Sequence, residues 1–243
     1  MQKINIGIVG GAGYTGGELL RVLLRHPIAH ISFVHSTSSA GELVSKVHAD
    51  LLGDTPLKFT NTLDQNIDVL FLCVGHGDAN KFLIENEIKA SIKIIDLSQD
   101  FRLNESAIFN DRTFVYGLPE LNRAAIANAQ NIANPGCFAT AIQLGLLPLA
   151  KAGVLADIYT TGITGSTGAG QGLSNTSHFS WRANNISAYK TLQHQHVAEI
   201  CKTLNDLNEE KVNLEFVPWR GDFTRGIFTS STIQTKMNLQ EIQ

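Results

Sequence analysis

Lys3-Ile4-Asn5-Ile6-Gly7-Ile8-Val9-Gly10-Gly11-Ala12-Gly13-Tyr14-Thr15-Gly16 decides the fold. Its first seven residues form a short β-rich run, the glycines supply a turn, and Glu18-Leu19-Leu20-Arg21-Val22-Leu23-Leu24 continues in a helical pattern. Gly10, Gly13 and Gly16 have the spacing G-x-x-G-x-x-G. That is a variant of the dinucleotide fingerprint, in which backbone N–H groups at a helix start face a pyrophosphate. Strand, glycine turn and helix in this order predict a dinucleotide site along Gly10, Gly13, Tyr14, Thr15 and Gly16.

Outward from that loop the alternation continues. Ile31–His35 reads as a second strand and ends in Ser36-Thr37-Ser38-Ser39, without the acidic residue that would hold a free ribose 2′-hydroxyl. This favours NADP(H) over NAD and assigns Ser36 and Ser38 to the cofactor, although no arginine stands beside them to pair with a 2′-phosphate. Two further buried-strand candidates, 67–74 and 92–96, flank a helical stretch from about Asp78 to Lys89. The expected fold class is α/β, with an N-terminal Rossmann-like, doubly wound parallel sheet over residues 1–136 and an α+β domain over 137–243.

Composition narrows the partners. The 243 residues are 43% hydrophobic with a formal net charge of −3, which suits a large buried core. The chain has no basic run to hold a nucleic acid or a membrane surface, so a small-molecule partner is expected. The uncharged span 124–150 is long enough to raise a membrane helix, but Asn131, Asn134, Pro135 and Gly136 interrupt it, and it reads as buried strand, turn and buried helix. Export is not expected, because the N-terminal apolar stretch is short and lacks a cleavage-site pattern. Cys73, Cys137 and Cys201 show neither a CxxC pair nor a disulfide spacing, as in a reducing cytoplasm, and no metal site is expected.

Cys137 follows Asn134-Pro135-Gly136 and opens the apolar run Phe138–Leu147. Proline fixes φ, glycine permits close approach, and the run reads as a helix whose N-terminus carries the sulfur. Unpaired N–H groups there favour thiolate and could hold an oxyanion. The tetrapeptide alone is equally compatible with a buried structural cysteine. Cys73 lies within a strand and Cys201 within the apolar pattern of a later helix, so both read as core. Further along, His194-x-His196-x-x-Glu199 opens a helix running through Ile200, Leu204 and Leu207. His196 and Glu199 are three apart on one helical face, so the carboxylate could orient the imidazole or raise its pKa.

Six segments together resemble one family, the N-acetyl-γ-glutamyl-phosphate reductases of arginine biosynthesis. They are Gly13-Tyr14-Thr15-Gly16, Ile95-Asp96-Leu97-Ser98-Gln99-Asp100-Phe101-Arg102-Leu103, Tyr116-Gly117-Leu118-Pro119-Glu120-Leu121-Asn122-Arg123, Asn134-Pro135-Gly136-Cys137, the 165–170 glycine segment and 194–200. The resemblance implies NADPH-dependent reduction of an acyl phosphate to an aldehyde with release of phosphate. Cys137 would be the nucleophile that forms a thioester, His196 the acid/base, and Glu199 its partner. His194, Arg102 and Arg225 would meet the anionic substrate, and Asn134 would position the thiol or its oxyanion. Gly165, Thr167, Gly168 and Gly170, which by composition could form a linker, are assigned to the cofactor. A homo-oligomer, dimer or tetramer, is implied by analogy.

The chain departs from the family at Phe138-Ala139-Thr140, where Tyr-Pro-Thr is usual, and at Ala198, where proline is common. Neither change touches the thiol, His196 or Glu199. Family members also continue beyond 235–243 through further strands and a return helix, so the second domain is expected to be C-terminally truncated. Two alternatives stand beside the reductase: a related enzyme with another N-acyl or carrier-linked substrate, and a truncated, non-catalytic NADP-binding chain.

Overall fold

The computed structural model describes residues 2–242, so Met1 and Gln243, the outer limits of the two expected domains, lie outside the described residues. The chain divides into two compact units, Met1–Pro135 and Gly136–Gln243.

The first unit runs β1 (Ile4–Val9), α1 (Tyr14–Leu24), β2 (Ala29–His35), α2 (Val44–Val47), β3 (Phe59–Thr60), β4 (Val69–Leu72), α3 (Asp78–Glu85), β5 (Lys93–Asp96), β6 (Ile108–Phe109), β7 (Arg112–Tyr116), α4 (Pro119–Asn128) and β8 (Asn131–Ala133). Its sheet has the order β3-β2-β1-β4-β5-β8-β7-β6 and is parallel except for the β6–β7 hairpin. Alternate residues of β1 feed different clusters. Ile6 and Ile8 pack with Leu20, Val34 and Phe59, and Val9 packs with Leu70, Leu72, Ile94 and Phe101. Burial of both faces is what a doubly wound sheet requires, and it explains why these strands read as continuous apolar runs.

The helix predicted to reach Lys89 ends at Glu85. The Asn86 side chain and backbone N–H both donate to the Phe82 carbonyl, and the Ile88 and Lys89 carbonyls accept from the Arg112 guanidinium. Those carbonyls therefore bond across the fold rather than along the helix. At the other end of α3, Asp100 accepts from Gly77 N–H at 2.6 Å and Asn80 N–H at 3.0 Å, capping the helix from the segment after β5.

Asp96, the last residue of β5, is buried and accepts from the Ser98 hydroxyl at 2.8 Å and the Ser98 N–H at 3.1 Å. Burial pushes its carboxyl up to about 6, with Asp100 adding to the rise and Ser98 and Arg102 opposing it. A carboxyl that holds its proton more tightly folded than unfolded removes stability as pH climbs through the window between the two values. Here that window runs from about 4 to about 6. Asp96→Asn, which keeps an acceptor for the Ser98 N–H, is therefore expected to protect the first unit by roughly 2 kcal/mol at neutral pH and to have little effect below about pH 4. Hydrogen exchange of the β5 amides at the two pH values measures it. Faster exchange in the variant at neutral pH would mean that the ionised carboxylate is stabilising.

The second unit contains α5 (Cys137–Lys151), β9 (Asp157–Thr164), α6 (Phe179–Arg182), β10 (Ser187–Ala188), α7 (His196–Asn205), β11 (Asn213–Arg220), β12 (Ile227–Ile233) and α8 (Leu239–Ile242). Its sheet has the order β10-β11-β9-β12, with β9 and β11 parallel and the outer strands antiparallel. One apolar cluster joins Phe138, Ile142 and Leu146 of α5 and Ile200 and Leu204 of α7 to Ile158, Leu214 and Phe216 of the strands. Phe138 lies so close to β9 that a Cβ on Gly162 would fall 2.5 Å from its ring, which explains a glycine inside that strand. Tyr159 of β9 and Phe228 of β12 are exposed.

Candidate active site

The cofactor loop is built at the carboxyl end of β1. Gly10 has φ +77°, and a Cβ there would lie 2.3 Å from the Cys73 carbonyl oxygen, so the turn admits no side chain. Gly16 is excluded from bearing one by Gly10 O and Gly11 Cα, each 2.6 Å from its would-be Cβ. Gly13 differs, because a Cβ there would meet only Gly10 O, at an ordinary 3.5 Å. The fold does not need glycine at 13, whereas a ligand lying against that backbone would. The loop is closed by Gly13 N–H to Gly10 O at 3.2 Å and Gly17 N–H to Gly13 O at 2.9 Å, leading into α1, with Tyr14 and Thr15 exposed at its start. After β2, the Ser36 and Ser38 hydroxyls are hydrogen-bonded at 3.3 Å, and the Ser36 N–H donates to Thr60 O. These residues suit a dinucleotide: a helix start, an open glycine and neutral hydroxyls beyond β2.

Arg102, expected to meet the substrate, is 5% exposed. Its Nε donates to Asn134 O at 2.8 Å and its Nη2 to Leu97 O at 3.0 Å. The guanidinium braces the chain that precedes Pro135, together with the Asn134 N–H donated to Asp96 O at 2.7 Å. The Asn134 side chain donates to Pro135 O at 3.1 Å. The Arg102 bonds place two of the five guanidinium donors on carbonyl oxygens.

In the second unit Cys137 is the first residue of the 15-residue helix α5 and is exposed. The helix has no side-chain cap from its own N-cap residue, Gly136. In place of one, Glu199 of α7 reaches across, and its Oε1 accepts from Gly136 N–H at 2.9 Å. Glu199 is 4% exposed, so this is a charge-assisted bond in a dry setting, and it ties α7 to the residue before the thiol. His196 opens α7 and is buried with Glu199 on the same helix. The pairing of Glu199 with His196 expected from spacing does not include this bond, since Gly136 and Glu199 are 63 residues apart.

His194 is another residue expected to meet the substrate. It is buried among Phe138, Phe216, Tyr189 and His196, with ring centroids 4.7–5.7 Å away, and its Nδ1 accepts the His196 N–H at 3.2 Å. Burial, then the charge of Lys190, lowers its pKa to about 4. Tyr189 and Arg220 were not foreseen. Arg220 Cζ lies 4.6 Å from the Tyr189 ring centroid, and burial raises the phenol pKa, with Arg220 offsetting and Cys137 reinforcing the rise. Arg225 is exposed in the turn between β11 and β12. The 165–170 segment is an ordered turn rather than a linker: Gly165 N–H donates to Gly226 O, the Thr167 hydroxyl donates to Thr224 O at 2.6 Å, and Gly170 has φ +79°.

A parallel dinucleotide-binding sheet, followed by a unit with a helix-start cysteine, a glutamate bonded to the N–H just ahead of it and a buried histidine on the glutamate's helix, defines the class of semialdehyde dehydrogenases. The family described as semialdehyde dehydrogenase, NAD binding domain, matches residues 5–129, and the semialdehyde dehydrogenase dimerisation domain family matches residues 137–243. The N-acetyl-gamma-glutamyl-phosphate reductase of Flavobacterium johnsoniae is 55% identical over 229 residues, 93% of this chain and 70% of that protein. That of Bacteroides thetaiotaomicron is 53% identical over 242 residues, 98% of this chain and 74% of that protein. In fold the chain is similar to aspartate semialdehyde dehydrogenase II of Vibrio cholerae, with a TM-score of 0.76 at 18% identity, covering 100% of this chain and 78% of that one. The chain belongs to the N-acetyl-gamma-glutamyl-phosphate reductase family. It is an oxidoreductase that uses NAD(P).

Proposed function

We propose that the chain carries out the reductive dephosphorylation of N-acetyl-γ-glutamyl phosphate to the 5-semialdehyde and phosphate in arginine biosynthesis, with Cys137, His196 and Glu199 as its catalytic residues. The observation that carries this reading is the thiol at the first position of α5, with the carboxylate of Glu199 bound to the N–H just ahead of it. His196 takes the thiol proton as the sulfur bonds to the acyl carbon, and the C–O bond to phosphate breaks with its electrons leaving on phosphate. The remaining N–H groups at the start of α5 suit the oxyanion that forms on the way. NADPH, when bound, supplies the hydride that brings the thioester to the aldehyde level. His196 gives its proton to the tetrahedral oxygen and recovers it as the C–S bond breaks, which frees the aldehyde; return of that proton from the imidazolium to the thiolate restores the starting thiol and neutral imidazole.

Gly10, Gly13, Tyr14, Thr15 and Gly16 would hold the pyrophosphate, Ser36 and Ser38 the adenosine ribose with its 2′-phosphate, and Gly165, Thr167, Gly168 and Gly170 the nicotinamide end. Arg225 would engage the anionic substrate. A homo-oligomer through the second unit is supported by the exposed Tyr159 and Phe228 on its strands, and a reducing, cytoplasmic location by chemistry that needs Cys137 as a free thiol.

The test is NADPH consumption, followed by absorbance, with N-acetyl-γ-glutamyl phosphate and a panel of other acyl phosphates. The expected outcome is turnover with the N-acetyl compound at the highest kcat/KM. Preference for another acyl group would move the substrate assignment, and nucleotide binding without any turnover would leave an NADP-binding chain.

A further inference from the structure

We propose that His48 is a positioning residue for cofactor binding, holding the glycine loop in its pyrophosphate-ready form; this rests on the reading of that loop as the pyrophosphate site. His48 stands between α2 and the 3₁₀ turn Ala49–Leu51, is 6% exposed, and its Nε2 lies 2.8 Å from Gly11 O. A carbonyl only accepts, so Nε2 carries the proton and donates. The ring is held by Phe59, 6.3 Å away between centroids, and by α1, where a Cβ on Gly17 would fall 2.6–2.7 Å from Cε1 and Nδ1. Gly17 lies outside the 10-13-16 fingerprint, and the imidazole gives it a reason to be glycine.

The segment that carries His48 is anchored independently of the loop. Val44 and Leu51 are in the core cluster with Leu20 and Val34. Asp50 takes both Nε and Nη2 of Arg21 on α1, each at 2.7 Å. The 44–51 segment thus grips α1 through Arg21 and the loop through Gly11. Consecutive glycines at 10 and 11 have more backbone freedom than any other pair, and a rotated Gly11 peptide would turn a carbonyl oxygen where an anion needs N–H groups. The Gly11 N–H is fixed by His35 O at 3.1 Å and its carbonyl by His48, so the peptides on both sides of that residue are set before ligand arrives.

His48→Phe keeps the ring and its neighbours but removes the donor, and His48→Gln restores an N–H donor without the ring. The expected result for His48→Phe is a rise of about five- to tenfold in NADPH KM, and in Kd measured by tryptophan fluorescence, with kcat within about twofold and the acyl-phosphate KM unmoved. His48→Gln is expected within about threefold of wild type in both. A purely structural role would lower kcat or the folded fraction in both variants without a selective change for NADPH, and that outcome, or a wild-type Kd in His48→Phe, overturns the proposal. Gly13→Val separates the underlying reading. Its backbone tolerates a Cβ, so an unchanged NADPH Kd in that variant would remove the loop itself from the cofactor site, and the role of His48 with it.

Discussion

Cys137→Ser is expected to lower turnover by at least about 10³-fold while leaving the NADPH Kd unchanged. In the proposed mechanism the substitution weakens two steps. A hydroxyl is far less ionised than a thiol at neutral pH, and the ester it would form accepts hydride less readily than a thioester. The fold should not notice, because the side chain is exposed and the helix start is held by Gly136 N–H on Glu199 and by Thr140, whose N–H and hydroxyl both donate to Gly136 O. Neither remaining cysteine can substitute. Cys73 is pushed up to about 12 by burial and the nearby charge of Asp96, and burial raises Cys201. Mass spectrometry without NADPH gives an independent reading: wild-type protein should gain one acyl group on incubation with the acyl phosphate, and the serine variant none. Turnover within tenfold of wild type in Cys137→Ser would remove Cys137 from the nucleophile's role.

What the sequence made legible was local chemistry with a local cause. Gly10 and Gly16 are dictated by a turn a few residues long, and the uncharged span around Pro135 reads as strand, turn and helix because proline and glycine interrupt it within one stretch. The start of α5 could be placed at Cys137, and that of α7 within the 194–199 segment. What remained hidden is long-range pairing. Nothing in the pattern of 194–199 indicates that Glu199 will cap a helix 63 residues earlier, or that the Asp96–Arg102 stretch will spend its charges internally. Asp100 caps α3, Ser98 is held by Asp96, and Arg102 braces Asn134 O. These residues are matched to groups that only the fold brings near. The rings around His194 are hidden for the same reason, since Phe138 and Phe216 lie far from it in sequence. Tyr189 and Arg220 meet only because Ser187 and Ala188 pair with Arg220 and Trp219 across an antiparallel edge.

His196→Asn is expected to cut kcat by about 10²- to 10⁴-fold, the range for a removed general acid/base, with little change in NADPH KM. The histidine is the first residue of α7, and its own N–H is donated to His194 Nδ1, a backbone bond that asparagine retains. The loss should therefore be chemical rather than structural. Its signature is the pH profile: if the imidazole accepts the thiol proton, the acidic limb of kcat/KM present in wild type should flatten in the variant. Glu199 separates two contributions on the same helix. Glu199→Gln still offers an oxygen to Gly136 N–H but no charge, and is expected to lose about tenfold in kcat. Glu199→Ala strips the acceptor and leaves a buried N–H unsatisfied, which costs about 1–3 kcal/mol and should also loosen α5 in hydrogen exchange. Because thiol and imidazole act as one unit, Cys137→Ser combined with His196→Asn should be scarcely slower than Cys137→Ser alone. Additive losses in that double variant, together with an unaltered pH profile in His196→Asn, would mean that the proton is handled by another group and that His196 only shapes the pocket around the sulfur.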